Sequence, residues 1–237
     1  MSALNSQIGY YNAEWSIAER GYANSLQLAR AIAVLQEIIA TGCVRPRICE
    51  LGAGTGWLTA MLGCVGDTLG VELSDVAVQM ASQRFSHVRF ECADATTWAY
   101  PPGSFDIVVS HEVVEHIEDQ QRYIDVAHGL LKTGGHLILT TPNARTVLAM
   151  PEESRSHQPI ENILTKEQLR VLVRSRFEAV RVRSLILRGS QKGLYRLVNS
   201  MKVRAVLGKV GLRAAFEASA LRAGFGLHLI ATGKKTS

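Results

Sequence analysis

Apolar positions change their period several times along the chain. From residue 14 to residue 40, Leu28, Ala31, Ile32, Leu35, Ile38 and Ile39 recur at helical spacing, which predicts one long helix punctuated by Gly42 and Pro46. A short buried strand, Arg47–Leu51, then runs into Gly52-Ala53-Gly54-Thr55-Gly56, and a helix follows over Trp57–Leu62. Further strands are predicted at Thr68–Glu72, Val88–Cys92, Phe105–Ser110 and Gly135–Thr141. Helices fall between them at Val76–Phe85, capped by Ser74 or Asp75, and at Gln120–Leu131, stopped by Thr133-Gly134-Gly135. Residues 144–163 read as a loop. Thr165 and Gln168 resemble a capping box for a helix through Arg174. Ala179–Leu187 alternates as a strand, 191–223 is helical in composition with breaks near Gly208 and Gly211, and Leu227–Thr232 reads as a last strand.

Strands alternating with helices imply βαβ units, hence an α/β, Rossmann-like doubly wound sheet that is mostly parallel. Ligands of such sheets bind beyond the carboxyl ends of the strands. The chemistry is therefore expected at residues 52–56, 72–74, 94–96, 111–116 and 141–143. The pattern divides the chain into an N-terminal helical segment (1–45), a core of alternating strands and helices (46–143) and a segment (144–237) that carries the helical insertion 191–223.

Composition narrows the class. Hydrophobic residues make up 47% and charged residues 20% of the 237 positions, a globular balance. No apolar run approaches the ~20 residues of a membrane-crossing helix, and Met1–Trp15 has no basic region followed by an apolar stretch. Cys43, Cys49, Cys64 and Cys92 are scattered without a C-x-x-C pair, so neither a zinc site nor a disulfide framework is expected, and a reducing, cytoplasmic setting fits.

The glycine loop opens a helix, whose free N–H groups suit an anionic group. A dinucleotide fingerprint needs a third glycine at position 57, which is Trp57. The spacing Gly52-x-Gly54-x-Gly56 is instead that of S-adenosylmethionine enzymes. Glu72 ends the second strand sixteen residues after Gly56, where a carboxylate can take both ribose hydroxyls, and Asp94 ends the third, where one can accept from the adenine amino group. Taken with Val71-Glu72, Ala93-Asp94-Ala95, Phe105–Val109 and Leu130-Leu131-Lys132-Thr133-Gly134-Gly135, the segment Glu50–Gly56 resembles the successive motifs of class I S-adenosylmethionine-dependent methyltransferases, over roughly residues 47–143. The resemblance implies seven strands with the last antiparallel. It implies that Glu50 and Gly52 hold the methionine end, Glu72 the ribose, and Asp94 with Ala95 the adenine, with Gly54, Gly56 and Leu73 also at the cofactor. Glu50 stands where the family usually has Asp.

Ser110-His111-Glu112-Val113-Val114-Glu115-His116 ends the fourth strand, and by topology faces the methyl group. Glu112, Glu115 and His116 resemble the E-x-x-E-H of ubiquinone-pathway O-methyltransferases, which is associated with a divalent cation. Ligands at i, i+3 and i+4 could share one helical face. The two carboxylates also read as helix caps that hold the sheet edge, and His116 as a general base or as a structural group. His111 is expected against the cofactor and Glu112 with His116 at the catalytic centre. Tyr10, Tyr11 and Trp15 are candidates for a lid, and His157, Gln158, Pro159 and Glu161 for acceptor contacts. The implied activity is methyl transfer to a small-molecule acceptor, with oxygen the favoured atom. The alternatives are a membrane-associated methyltransferase of a lipid-linked or quinone-like substrate and a non-catalytic S-adenosylmethionine-binding protein.

Charge adds one further feature. The net charge is +5, yet residues 179–216 contain nine Lys or Arg and no Asp or Glu. This segment reads as a lid helix over an acidic acceptor, as a peripheral membrane contact through 191–213, or as a solvated face. Nucleic acid is disfavoured because only Tyr195 and Phe216 could stack on bases.

Overall fold

The computed structural model describes residues 3–17, 24–154, 158–188 and 192–236. The N-terminal region forms two helices rather than one, α1 (Ala3–Ile17) and α2 (Ser25–Ala40). The second starts where it does because the Asn24 side chain accepts from Leu26 and Gln27 N–H while the Gln27 side chain accepts from Asn24 N–H. Its buried stripe is Arg30, Ala31, Val34 and Ile38, whereas Leu28, Ile32 and Ile39 face outward. The helix is thus rotated from the expected stripe, and an arginine sits on its core side.

The elements that follow are β1 (Arg47–Leu51), α3 (Trp57–Leu62), β2 (Asp67–Glu72), α4 (Asp75–Arg84), β3 (Arg89–Cys92), β4 (Phe105–His111), α5 (Gln120–Leu130), β5 (Leu131–Pro142), α6 (Ala144–Leu148), α7 (Lys166–Arg174), β6 (Glu178–Leu185), α8 (Gly193–Val198), α9 (Met201–Lys209), α10 (Arg213–Arg222) and β7 (His228–Lys234). Short 3₁₀ turns cover Val114–His116 and Glu152–Ser154. The expected loop after residue 143 therefore contains α6 and one of these turns. β5 begins at Leu131, ahead of Gly135, because Leu131 already pairs with Phe105 across the sheet.

The seven strands lie in the order β3-β2-β1-β4-β5-β7-β6, with β7 antiparallel to both neighbours. This is the Rossmann-like sheet expected, including its antiparallel last strand. One face packs Leu51, Val108, Leu139 and Leu229 under Tyr123 and Ile124 of α5 and Leu169 and Val173 of α7. The other packs Ile48, Ile107 and Ile138 under Ala31, Val34 and Ile38 of α2 and Leu58 and Leu62 of α3. With both faces covered, β1 and β4 read as near-continuous apolar runs, and their carboxyl ends open at the same edge. None of the described helices is long and apolar enough to cross a membrane.

Candidate active site

A cavity of about 1050 Å³ lies at the carboxyl ends of β1, β2 and β4, where a doubly wound sheet places its ligands. Glu50, Gly52, Gly54, Glu72, Leu73, Asp94, Ala95, His111, Glu112, Glu115 and His116 all border it, so the fold gathers the residues singled out in the sequence. Gly56 does not. It caps α3 with φ +80° and packs so tightly that a Cβ would lie 2.7 Å from Ala81 Cβ.

The glycine loop is built for close approach. Gly52 has φ +79°, and a Cβ there would come within 2.3 Å of Val113 Cγ2. Gly54 has φ +51°, and its N–H donates to Glu72 Oε2 at 2.8 Å. Ser74 N–H donates to the other carboxylate oxygen of Glu72 at 3.0 Å. Burial raises the Glu72 pKa, against the pull of these hydrogen bonds. Glu50 is 1% exposed and accepts from Thr59 Oγ1 at 2.5 Å, and burial lifts its pKa to about 8. Asp94 folds back on its own turn, accepting from Thr96 N–H and Oγ1, both at 2.8 Å.

Helix α1 closes one side of the cavity. Gln7 Nε2 donates to the His116 carbonyl at 2.8 Å, Tyr11 Oη donates to Gln158 Oε1 at 3.2 Å, and Asn12 is held by Ser74 and Asp75. The Trp15 ring covers the glycine loop, 3.3 Å from where a Gly54 Cβ would stand, and its buried indole N–H meets no acceptor among the described residues. Gln158 and Glu161 also line the space, and His157 lies outside the described residues.

Beyond β4 the backbone turns sharply. Glu112 has φ +59°, a conformation rare outside glycine, which swings its side chain away from the turn that carries Glu115 and His116. Its carboxylate lies 2.8 Å from His228 Nδ1 and 3.7 Å from Arg30 Nε. Arg30 also reaches His228 Nε2 at 3.1 Å and donates to His111 Nε2 at 3.3 Å. Burial alone would raise the Glu112 pKa. The electrostatic pull and hydrogen bond of His228, with the Arg30 guanidinium, overcome it and bring the pKa to about 2. Burial, with Arg30 and His228 nearby, lowers His111 to about 4, so its ring is neutral at physiological pH; it stands edge-on to Trp57.

Glu115 is 2% exposed, accepts from Thr141 Oγ1 at 2.9 Å, and is driven well above the usual carboxylate range by burial and by Glu112. His116 Nδ1 is 2.9 Å from the Ile160 carbonyl, and its Nε2 is 3.8 Å from Glu115 Oε1. The expected metal trio is therefore not a donor set. Glu112 is turned onto a guanidinium, which takes the electrostatic place of a cation, and no cluster of three His, Cys, Asp or Glu among the described residues could hold a metal ion.

Sequence reasoning missed Arg30 and His228. Arg30 shares the spacing of Val34 and Ile38, and an arginine on a core stripe was the available signal for it. His228 is met only when β7 pairs with β5, opposite Pro142, and no local pattern announces that. No residue of the basic helices α8 and α9, or of α10, borders the cavity, which α1, within the expected N-terminal lid, covers.

Residues 22–187 match the model of a family described as a methyltransferase domain. A probable S-adenosylmethionine-dependent methyltransferase of Mycobacterium tuberculosis (strain H37Rv) is 29% identical over 114 residues, 48% of this chain and 42% of that protein. A ubiquinone biosynthesis O-methyltransferase of Coxiella burnetii is 33% identical over 101 residues, 40% of this chain and 43% of that one. The chain thus spans less than half the length of these curated relatives. Among solved structures, the N-methyltransferase NodS of Bradyrhizobium japonicum in complex with S-adenosylhomocysteine superposes with a TM-score of 0.66 at 14% identity, covering 98% of this chain and 99% of that one. The [4+2]-cyclase SpnF does so with a TM-score of 0.64 at 20% identity, covering 99% and 97%. Such distant likeness carries the fold and leaves the reaction to the site. With its family model spanning well over half of its residues and its sheet in the matching order, the chain belongs to the methyltransferase-domain family.

Proposed function

We propose that this protein transfers a methyl group from S-adenosylmethionine to a hydroxyl of a small-molecule acceptor, with His116 as the general base. The positive-φ glycines, the acids in order along the sheet edge and the unpartnered Trp15 N–H suit that cofactor. Glu50 and Gly52 would hold its methionine end, Glu72 with Leu73 the ribose, and Asp94 with Ala95 the adenine. When bound, it supplies a methyl group already activated by a sulfonium.

One observation carries the choice of base. The Ile160 carbonyl can only accept, so the 2.9 Å contact calls for a proton on Nδ1, and a neutral ring would then turn its Nε2 lone pair to the cavity. As an acceptor hydroxyl displaced the sulfonium sulfur from the methyl group, its proton would pass to Nε2 of His116. Arg30, Glu112, His111 and His228 act as a positioning group: a carboxylate with a pKa of about 2 does not exchange protons near neutral pH, but it fixes the floor of the site. Helix α1 excludes water and keeps the reacting groups aligned.

The test pairs His116→Ala with His116→Asn, whose amide can still donate to Ile160. With labelled S-adenosylmethionine and a panel of hydroxylated acceptors, both should lose about 10²- to 10⁴-fold in kcat while keeping their S-adenosylhomocysteine affinity. An Asn variant as active as the parent would return His116 to a structural role. Cofactor binding without methylation of any acceptor would favour the non-catalytic reading.

A further inference from the structure

We propose that helices α8 and α9, with the turn after them, form a docking surface for an anionic lipid membrane. The inference is independent of the reaction proposed above. Neither helix buries a residue fully. Leu194, Leu197, Met201, Val206, Val210 and Leu212 are each more than half exposed, six large apolar side chains within nineteen residues. On α9, Met201, Lys202, Ala205, Val206 and Lys209 share one exposed arc, while Val203, Arg204 and Leu207 turn toward the body.

Charge decides the occupant. Of the nine basic residues in this acid-free stretch, Arg181 and Arg183 share the single charge of Glu37, and Arg204 and Arg213 share that of Glu217. Arg188, Lys192, Arg196, Lys202 and Lys209 remain exposed, interleaved with the apolar side chains. Shallow apolar insertion between cationic contacts is the chemistry of an anionic bilayer surface. A second copy of the chain would set these cations against themselves across a two-fold axis. Bases find no platform, because Tyr195 is packed on Phe225 at 5.0 Å and Phe216 is half-buried.

The surface also adjoins the acceptor side of the cavity. Lys192 N–H donates to the Ala149 carbonyl at 2.8 Å, and Ala149 lies between the cavity residues Val147 and Met150. Asn199 Nδ2 donates to the Phe225 carbonyl at 3.4 Å, two residues before Leu227 of the cavity wall. A protein seated on a bilayer by this face holds that mouth near the lipid headgroups.

The experiment is co-sedimentation of the full chain with vesicles of phosphatidylcholine alone or mixed with phosphatidylglycerol. Binding should require the anionic lipid. It should fade as salt rises from about 0.1 M to about 1 M, which shortens the screening length from about 10 Å to about 3 Å. The variant Lys192→Gln/Arg196→Gln/Lys202→Gln/Lys209→Gln, altered only at exposed positions, should fold normally and bind more than about tenfold more weakly. Leu194→Ser/Val206→Ser should weaken binding while keeping its salt dependence. Four outcomes would overturn the proposal: binding indifferent to lipid charge, a quadruple variant that binds like the parent, self-association that these substitutions abolish, or binding to single-stranded oligonucleotides in place of vesicles.

Discussion

If Glu50 holds the cofactor as proposed, its binding is a proton-linked event. The Glu50 carboxyl group is sealed behind Thr59, and burial holds its pKa near 8 in the unliganded protein. If it receives the cationic amino group of the methionine moiety, the competent form is the carboxylate, and the apparent affinity scales with the ionised fraction. That fraction is about one in a hundred at pH 6 and about one half at pH 8, so affinity should rise about fiftyfold across the interval. Calorimetric titration with S-adenosylhomocysteine in buffers of different ionisation enthalpy should also detect about one proton released per site near pH 6. The sign for the free protein is the opposite: a raised carboxylate pKa favours the neutral fold, so stability declines as pH climbs from about 4.5 toward 8. Glu50→Gln should flatten both profiles. An affinity that stays constant from pH 6 to pH 8 in the parent protein, with no buffer-dependent heat, would refute the assignment of Glu50 to the cationic end of the cofactor.

Two further outcomes concern the floor of the site. Arg30→Met removes one partner from a nearly buried charge cluster and leaves Glu112 with His228 alone; it should cost about 3 kcal/mol, lowering Tm by roughly 6–12 °C in a chain of this size, with partial recovery in Arg30→Met/Glu112→Leu. Because the Glu112 pKa is depressed from 4.5 to about 2, its contribution is complete above pH 4.5 and lost as pH falls toward 2; acid unfolding of Glu112→Gln should lack about 3 kcal/mol of that dependence, and identical acid curves for the two proteins would count against the cluster.

The core of this molecule was legible because its signals are local. The Gly52–Gly56 loop, Glu72 and Asp94 each sit at the end of a strand whose apolar run is readable alone, and the sheet brings those ends together. The capping pairs Asn24/Gln27 and Thr165/Gln168 are as local, and the first starts α2 at a boundary that the apolar periodicity alone does not show. What escaped was relational. A helical wheel of α2 offers a stripe through Leu28 and Ile32 and another through Arg30 and Val34, and only packing on β5 and β7 selects the second. The expectation of a metal at Glu112, Glu115 and His116 assumed helical spacing, which the left-handed backbone at Glu112 breaks.

The position of β7 has a consequence for how the molecule is made. The strand lies inside the sheet, between β5 and β6, although it comes after both along the chain. Until residues 228–234 emerge from the ribosome, β5 has a bare edge and β6 has no strand to join, since its pairing partner is β7. The glycine loop and its acids lie on earlier strands, but the cavity wall is completed only by Leu227 and His228. A chain that still lacks β7 leaves exposed the β5 edge that β7 covers in the finished sheet, and that edge is what a chaperone would have to shield.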